Sequence, residues 1–185
     1  MQILRSMRAA AFGALLMTTG CATGPTVRVD MDPSANLRSY KTFAFFEPVS
    51  TDDNKYTTLT STRLKQSTRA QLERLGFVYI DEEEPDLRVN FYLKVVDKQA
   101  LQSTGSNYYT YRGDRYGTWS GYPNVTTVDY REGTLIVELV DAKRKQLVWQ
   151  GVAEGEIKEK ALKNPGPALD RAVTKIFSNF PYEPE

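Results

Sequence analysis

Between positions 87 and 95 apolar and polar residues alternate without a break: Leu87, Val89, Phe91, Leu93 and Val95 are separated by Arg88, Asn90, Tyr92 and Lys94. A period of two predicts a strand with one face in a core and the other wet or partly covered. Residues 134–141 repeat the pattern with Leu135, Val137 and Leu139 on one face. Residues 147–157 put Leu147, Trp149, Gly151, Ala153, Gly155 and Ile157 on one side. The polar stretch 141–146 between these two runs predicts an antiparallel hairpin. Shorter strand candidates are 27–31, the aromatic run 40–46 closed by Glu47 and Pro48, and 77–80 before an acidic turn.

The periodicity changes in two places. Ser61, Leu64, Thr68, Leu72 and Leu75 follow one another at helical spacing, with Lys65, Arg69, Glu73 and Arg74 on the other sides and Gly76 as a C-terminal stop. Leu169, Ala172, Val173, Ile176, Phe177 and Phe180 draw a second apolar stripe, with Pro165 and Pro167 at its start and Pro181 past its end. About six strands, with consecutive ones in hairpins, and two helices predict a single α+β domain. Its mainly antiparallel sheet carries both helices on one face, and Trp149 lies in the core. Without βαβ alternation, a doubly wound nucleotide-binding sheet is not expected.

The N-terminus has a different composition. Arg5 and Arg8 precede an apolar run from Ala9 to Met17, which leads to Thr18-Thr19-Gly20-Cys21. A positive segment, about ten apolar residues and a small-residue site make a secretory signal. The run is too short to span a bilayer, which takes roughly 20 residues. Gly20-Cys21 resembles the lipobox of bacterial lipoproteins, with Thr18 in place of the usual Leu. That resemblance implies a leader at 1–20 and lipidation of Cys21, whose thiolate is nucleophilic enough to take a diacylglyceryl group. It also implies a mature chain held by several acyl chains. Ala22 stands where Asp would signal inner-membrane retention, so the expected destination is the periplasmic face of the outer membrane. Residues 21–26 are a short tether, and 27–182 form the periplasmic domain.

The order of elements resembles the bacterial envelope lipoproteins catalogued as domain of unknown function 4136. The residues that carry the resemblance are Val29-Asp30, Tyr40-Lys41-Thr42-Phe43, Leu75-Gly76-Phe77 and Pro85-Asp86-Leu87-Arg88-Val89 in the first half. Glu132-Gly133-Thr134-Leu135-Ile136-Val137, Leu147-Val148-Trp149-Gln150-Gly151, Ala172-Val173-Thr174-Lys175-Ile176-Phe177 and Phe180-Pro181 carry it in the second. Glu138 replaces a common Asp, and Gln150 replaces a common basic residue. The family has no assigned activity, so the resemblance implies location and architecture but no catalytic residue.

Composition narrows the chemistry. The 185 residues include 24 Lys+Arg against 23 Asp+Glu, no His and one Cys. The absence of His excludes Ser-His-Asp and Cys-His catalysis and any imidazole metal ligand. One Cys excludes an intramolecular disulfide and any multi-cysteine metal site. Near-neutrality gives no general attraction to nucleic acid, and a secretion signal makes that partner implausible. No Walker loop, Gly-x-Ser-x-Gly or complete Ser-x-x-Lys motif set is present.

The stretch 103–130 holds six of the 11 tyrosines (Tyr108, Tyr109, Tyr111, Tyr116, Tyr122 and Tyr130), together with Trp119 and four glycines. It reads as a long Tyr/Gly-rich loop, a flexible excursion folding over its own sheet or a contact surface for protein or sugar. Tyr108, Tyr109, Tyr111, Tyr116, Trp119 and Tyr122 are the candidate partner-binding residues, and Arg112 and Arg115 stand ready to stack on aromatics. The acidic run Asp81, Glu82, Glu83, Glu84 and Asp86 reads as a solvated charge cluster, because EF-hand spacing is absent. Asp52-Asp53-Asn54 reads the same way, and Ser61 with Lys65 reads as a chance pairing. No metal and no cofactor are expected beyond the covalent lipid on Cys21. The expected role is a non-enzymatic envelope binding module with the outer membrane and an envelope protein as partners. The alternatives are a glycan or peptidoglycan hydrolase built on scattered Asp/Glu, and a small-ligand or lipid carrier.

Overall fold

The computed structural model describes residues 24–53, 55–81, 84–104, 107–112, 115–120 and 124–182. In chain order the elements are β1 (Thr26–Met31), a 3-10 turn (Leu37–Ser39), β2 (Thr42–Phe45), α1 (Leu59–Arg74), β3 (Val78–Tyr79) and β4 (Leu87–Thr104). They are followed by β5 (Asn107–Arg112), β6 (Arg115–Ser120), β7 (Asn124–Asp141), β8 (Gln146–Glu156), α2 (Glu159–Lys163) and α3 (Gly166–Phe177). Six strands form one sheet in the order β1-β8-β7-β4-β2-β3, and β5 and β6 form a separate hairpin. The α+β class and the mainly antiparallel sheet agree with the sequence pattern.

The two helical stripes become the inner faces of α1 and α3, which pack on each other and on the sheet. Ser61, Leu64, Thr68 and Leu72 of α1 are fully buried, as are Val173 and Ile176 of α3. The Thr58 hydroxyl caps α1 by accepting from the Ser61 amide at 3.1 Å. At the other end Gly76, with φ +89, lets the Gly76 and Phe77 amides turn back onto the Glu73 and Leu72 carbonyls, a Schellman stop that only glycine adopts without strain. On the sheet side of this core lie Phe43, Phe91, Leu139 and Trp149.

Four features depart from the sequence reading. First, β2 runs parallel to both β3 and β4. The chain between β2 and β3 crosses over through α1, and such a crossover returns the strand in its original direction, where a tight turn would reverse it. One βαβ unit therefore sits inside a sheet expected to consist of hairpins. Second, the short helix α2 precedes α3 and carries no buried residue, so no apolar stripe announced it. Third, the register between β7 and β8 shifts at Leu139/Val140. This bulge places Val148 in the core beside Trp149 and leaves Leu147 exposed, whereas strict alternation puts Leu147 inside.

The fourth departure matters most. Much of 103–130, read as an irregular loop, is strand: β4 and β7 stay paired for 18 residues in unbroken register, from Leu87↔Asp141 to Thr104↔Asn124. The neighbouring strands end earlier. β2 accompanies β4 only to Val89, and β8 accompanies β7 only from Glu132 onward.

Candidate functional site: the β4–β7 ribbon and its hairpin

Beyond Glu132 the sheet continues as two strands alone, through eight pairs from Asp97↔Arg131 to Thr104↔Asn124. At about 3.3 Å per residue this ribbon is ~25 Å long. Next in the chain comes the β5–β6 hairpin, whose register sets Tyr108 opposite Trp119, Tyr111 opposite Tyr116 and Arg112 opposite Arg115. β4 beyond Val96 and β7 before Glu132 thus form a two-stranded antiparallel arm, and the β5–β6 hairpin follows it in the chain. Tyr122 and Cys21 lie outside the described residues, as do Asn54, Glu82 and Glu83.

Charge is distributed unevenly along the arm. At its base Asp97 pairs with Arg131 directly across the ribbon at 2.8 Å, and Lys98 meets Glu132 diagonally. The hydrogen bond to Glu132 raises the Lys98 ammonium above its ordinary range. Further out, 99–104 and 124–128 contain no charged residue, yet Leu101 is 76% exposed and Val125 and Val128 are also open to solvent. A two-stranded ribbon has no second layer on which to bury such side chains, and alone in water it is only marginally stable. Between the charged pairs at the base and the hairpin, the ribbon is thus an uncharged stretch with exposed branched residues. A cleft of about 760 Å³ lies at its base, lined by both signs of charge, among them Asp97, Lys98, Arg131 and Glu156.

The acidic candidates hold the frame. The Asp86 carboxylate accepts from the Lys41 and Thr42 amides at 2.7 and 2.8 Å, while its own amide donates to the Thr42 hydroxyl. It thereby ties the start of β4 to the start of β2. Burial opposes the charge, but these amides outweigh it and hold the carboxyl below its ordinary range. Asp52 accepts from the Val49 and Thr58 amides, fastening the loop before α1. Ser61 is buried and bonded to the Thr51 and Thr58 hydroxyls, whereas Lys65 lies over the Phe45 ring, so the two form no nucleophile and base pair. Among the described residues no cluster of three or more Cys, Asp or Glu is placed to hold a metal ion.

A polar latch that the sequence reading missed closes the sheet at the end opposite the arm. Asp141, 6% exposed, accepts from the Arg144 amide and guanidinium and from the Tyr40 hydroxyl, and Arg144 also donates to Tyr40 at 2.8 Å. Desolvation pushes the Asp141 carboxyl up, but these donors bring it down to about 2. Because the folded value lies below the unfolded one, the latch stabilises the fold above about pH 4, and that contribution is lost as pH falls toward 2. Asp141→Asn is expected to cost about 1.5–3 kcal/mol at neutral pH, the range for hydrogen bonds to a charged group. The difference from wild type should vanish in urea melts at pH 2; a difference that persists there would show the carboxylate charge to be immaterial.

The fold has known likenesses. A PDZ domain protein from Parabacteroides distasonis shares 15% identity over 88% of this chain and 37% of that one, with a TM-score of 0.57. At that identity the likeness is one of fold, and this chain spans little more than a third of that protein. The PelC dodecamer from Paraburkholderia phytofirmans is 12% identical over 83% of this chain and 95% of that one, with a TM-score of 0.46. No curated protein matches the chain. Residues 27–182, which take in the sheet, the arm and the helices, match the family described as a domain of unknown function, and the chain belongs to that family, DUF4136.

Proposed function

We propose that the protein is an outer-membrane lipoprotein, held by acyl chains on Cys21 at the periplasmic face. On this reading its domain is a non-enzymatic binding module with the β4–β7 arm as its working end. The observation that carries the reading is Gly20-Cys21 placed directly after a short positive and apolar leader. Two structural features support a module that binds and does not catalyse. Asp52, Asp86 and Asp141 spend their carboxylates on backbone amides, which suits frame-building better than acid/base work. The space between sheet and helices, where a carrier would hold its ligand, is occupied by Trp149 packed against the tilted rings of Phe177 and Phe180.

Radiolabelled palmitate is expected to enter the protein in its native host, and Cys21→Ala is expected to abolish that labelling and move the protein from the membrane fraction to the soluble one. Equal labelling of the Cys21→Ala variant, or none in the native protein, would overturn the reading.

A further inference from the structure

The strand register fixes which way the N-terminus leaves the domain. Thr26 pairs with Glu154, Glu154 with Thr134 and Thr134 with Lys94, whereas Met31 shares its row with Trp149, Leu139 and Val89. Going backwards along β1, from Met31 to Thr26, is therefore going outwards along β4 toward the arm. Pro25 keeps this line: a Cβ on Gly155 would lie 3.2 Å from the Pro25 Cα, and the Lys175 ammonium donates to the Pro25 carbonyl at 2.7 Å. Tether and arm leave the sheet at the same end.

Their lengths differ. From the row of Gly155, Gly133 and Val95 to the ribbon's end at Thr104 is nine residues, ~30 Å along the strand. From Pro25 back to Cys21 is four residues, at most ~14 Å fully extended. The ribbon alone outreaches the tether by roughly 15 Å, and the β5–β6 hairpin is joined to its end by two residues on one strand and three on the other. A lipidated Cys21 sits at the boundary between headgroups and acyl chains, and the polar layer outside that boundary is only about 5–8 Å deep. A membrane that holds Cys21 is thus within reach of the arm's outer part.

We infer that the β5–β6 hairpin docks in the phospholipid headgroup layer of the membrane that anchors Cys21, as a second, non-covalent foothold. The inference rests on the lipid-anchor reading above. The arm's chemistry suits that solvent. Charged pairs stop at the ribbon base, the next segment is uncharged, and the hairpin supplies Tyr108, Tyr109, Tyr111, Tyr116 and Trp119. Tyr and Trp rings concentrate at membrane interfaces, where one end is apolar and the other wet. Arg112 and Arg115, opposite each other in the hairpin register, outnumber the single Asp114 of this stretch and give it a positive balance toward anionic headgroups. The bonds within β5–β6 satisfy the backbone groups that face each other, and the groups on its two open edges can pair with the water and phosphates of a polar headgroup layer.

Cys21 is the only thiol, so the anchor can be imposed chemically. The chain beginning at Cys21 is coupled to maleimide-bearing phospholipid in phosphatidylethanolamine/phosphatidylglycerol vesicles, with and without lipids brominated near the headgroup. Trp119 emission is expected to fall about two-fold with the brominated lipid, as for an aromatic ring at the interface. Trp119→Phe should remove the quenched component, because Trp149 is buried in the core. Tyr109→Ser with Tyr111→Ser and Tyr116→Ser should weaken the quenching while leaving the urea midpoint unchanged. Emission unaffected by bromine in coupled, folded protein would overturn the docking, as would photo-crosslinking from positions 109 and 116 in native envelopes that yields a protein adduct and no lipid adduct. Failure of palmitate labelling alongside normal quenching would refute the natural anchor and leave the hairpin's affinity for the interface standing.

Discussion

Trp149→Ala is expected to lower the unfolding free energy by about 3–5 kcal/mol, among the largest losses any single truncation in this domain can cause. The indole is 1% exposed and lies 5.4 Å from the Phe177 ring and 5.0 Å from the Phe180 ring, so it joins the sheet to α3 and to the chain that follows it. Its Nε1 has no hydrogen-bond partner, so truncation forfeits packing and apolar burial alone. The void would open between two rigid layers, a sheet and a helix, which cannot close over it without moving as bodies. Since small domains are stable by only about 5–15 kcal/mol, the variant should fold but melt far earlier. The measurement is a urea transition with an unchanged slope and a lower midpoint; a loss below about 1 kcal/mol would mean that the indole does not bridge the two layers.

Two residues along β8, Gly151→Ala should cost about 1–3 kcal/mol for the opposite reason, overpacking. A Cβ there would lie 2.2 Å from the Ile176 Cγ2 and 2.8 Å from the Trp149 Cη2. No real contact is that short, so α3 would have to retreat from the sheet. The cause is testable by coupling: in an Ile176→Ala background the added methyl has room, and most of the penalty should disappear. Equal penalties in both backgrounds would place the strain elsewhere, in the β8 backbone itself. Together the two variants bracket the tolerance of one interface, which accepts neither a missing ring nor an added carbon.

Much of this interface could be read from the chain. Trp149 and Gly151 share a strand face because side chains alternate, and Ile176 and Phe177 share a helix face because 3.6 residues make a turn. Helical spacing puts Ser61 and Thr68 on the buried stripe of α1 despite their hydroxyls, and both are fully buried. Gly76, at the end of that stripe, reads as a helix stop, and it carries the positive φ that such a stop needs. These features depend on backbone geometry within a few residues, so local sequence suffices to specify them. Leu147 and Val148 mark the limit. Their exchange of inside and outside comes from a bulge opposite Val140, a residue of another strand that no local period can register.

The candidate site divides in the same way. The tyrosines, the single Trp119 and the glycines of 103–130 marked this segment as unusual, but their irregular spacing concealed a strand pair, since neither ribbon face is buried enough to impose alternation. The Asp141 latch draws Tyr40 from a position 101 residues away, and Asp86 reaches back 45 residues to Lys41, distances over which sequence carries no visible signal. By itself the sequence determined the two packed helices, the core strands with most of the faces that meet in the core, the Gly76 stop and the lipobox resemblance at Cys21, because each is set by neighbours along the chain. Only the tertiary structure decided that β2 runs parallel to β4, that β4 and β7 outrun their neighbours as a ribbon, and that this ribbon leaves the sheet at the same end as the N-terminal strand. Those outcomes depend on which strands find one another across long loops, and pairing of that kind is chosen by the packing of the whole sheet against α1 and α3.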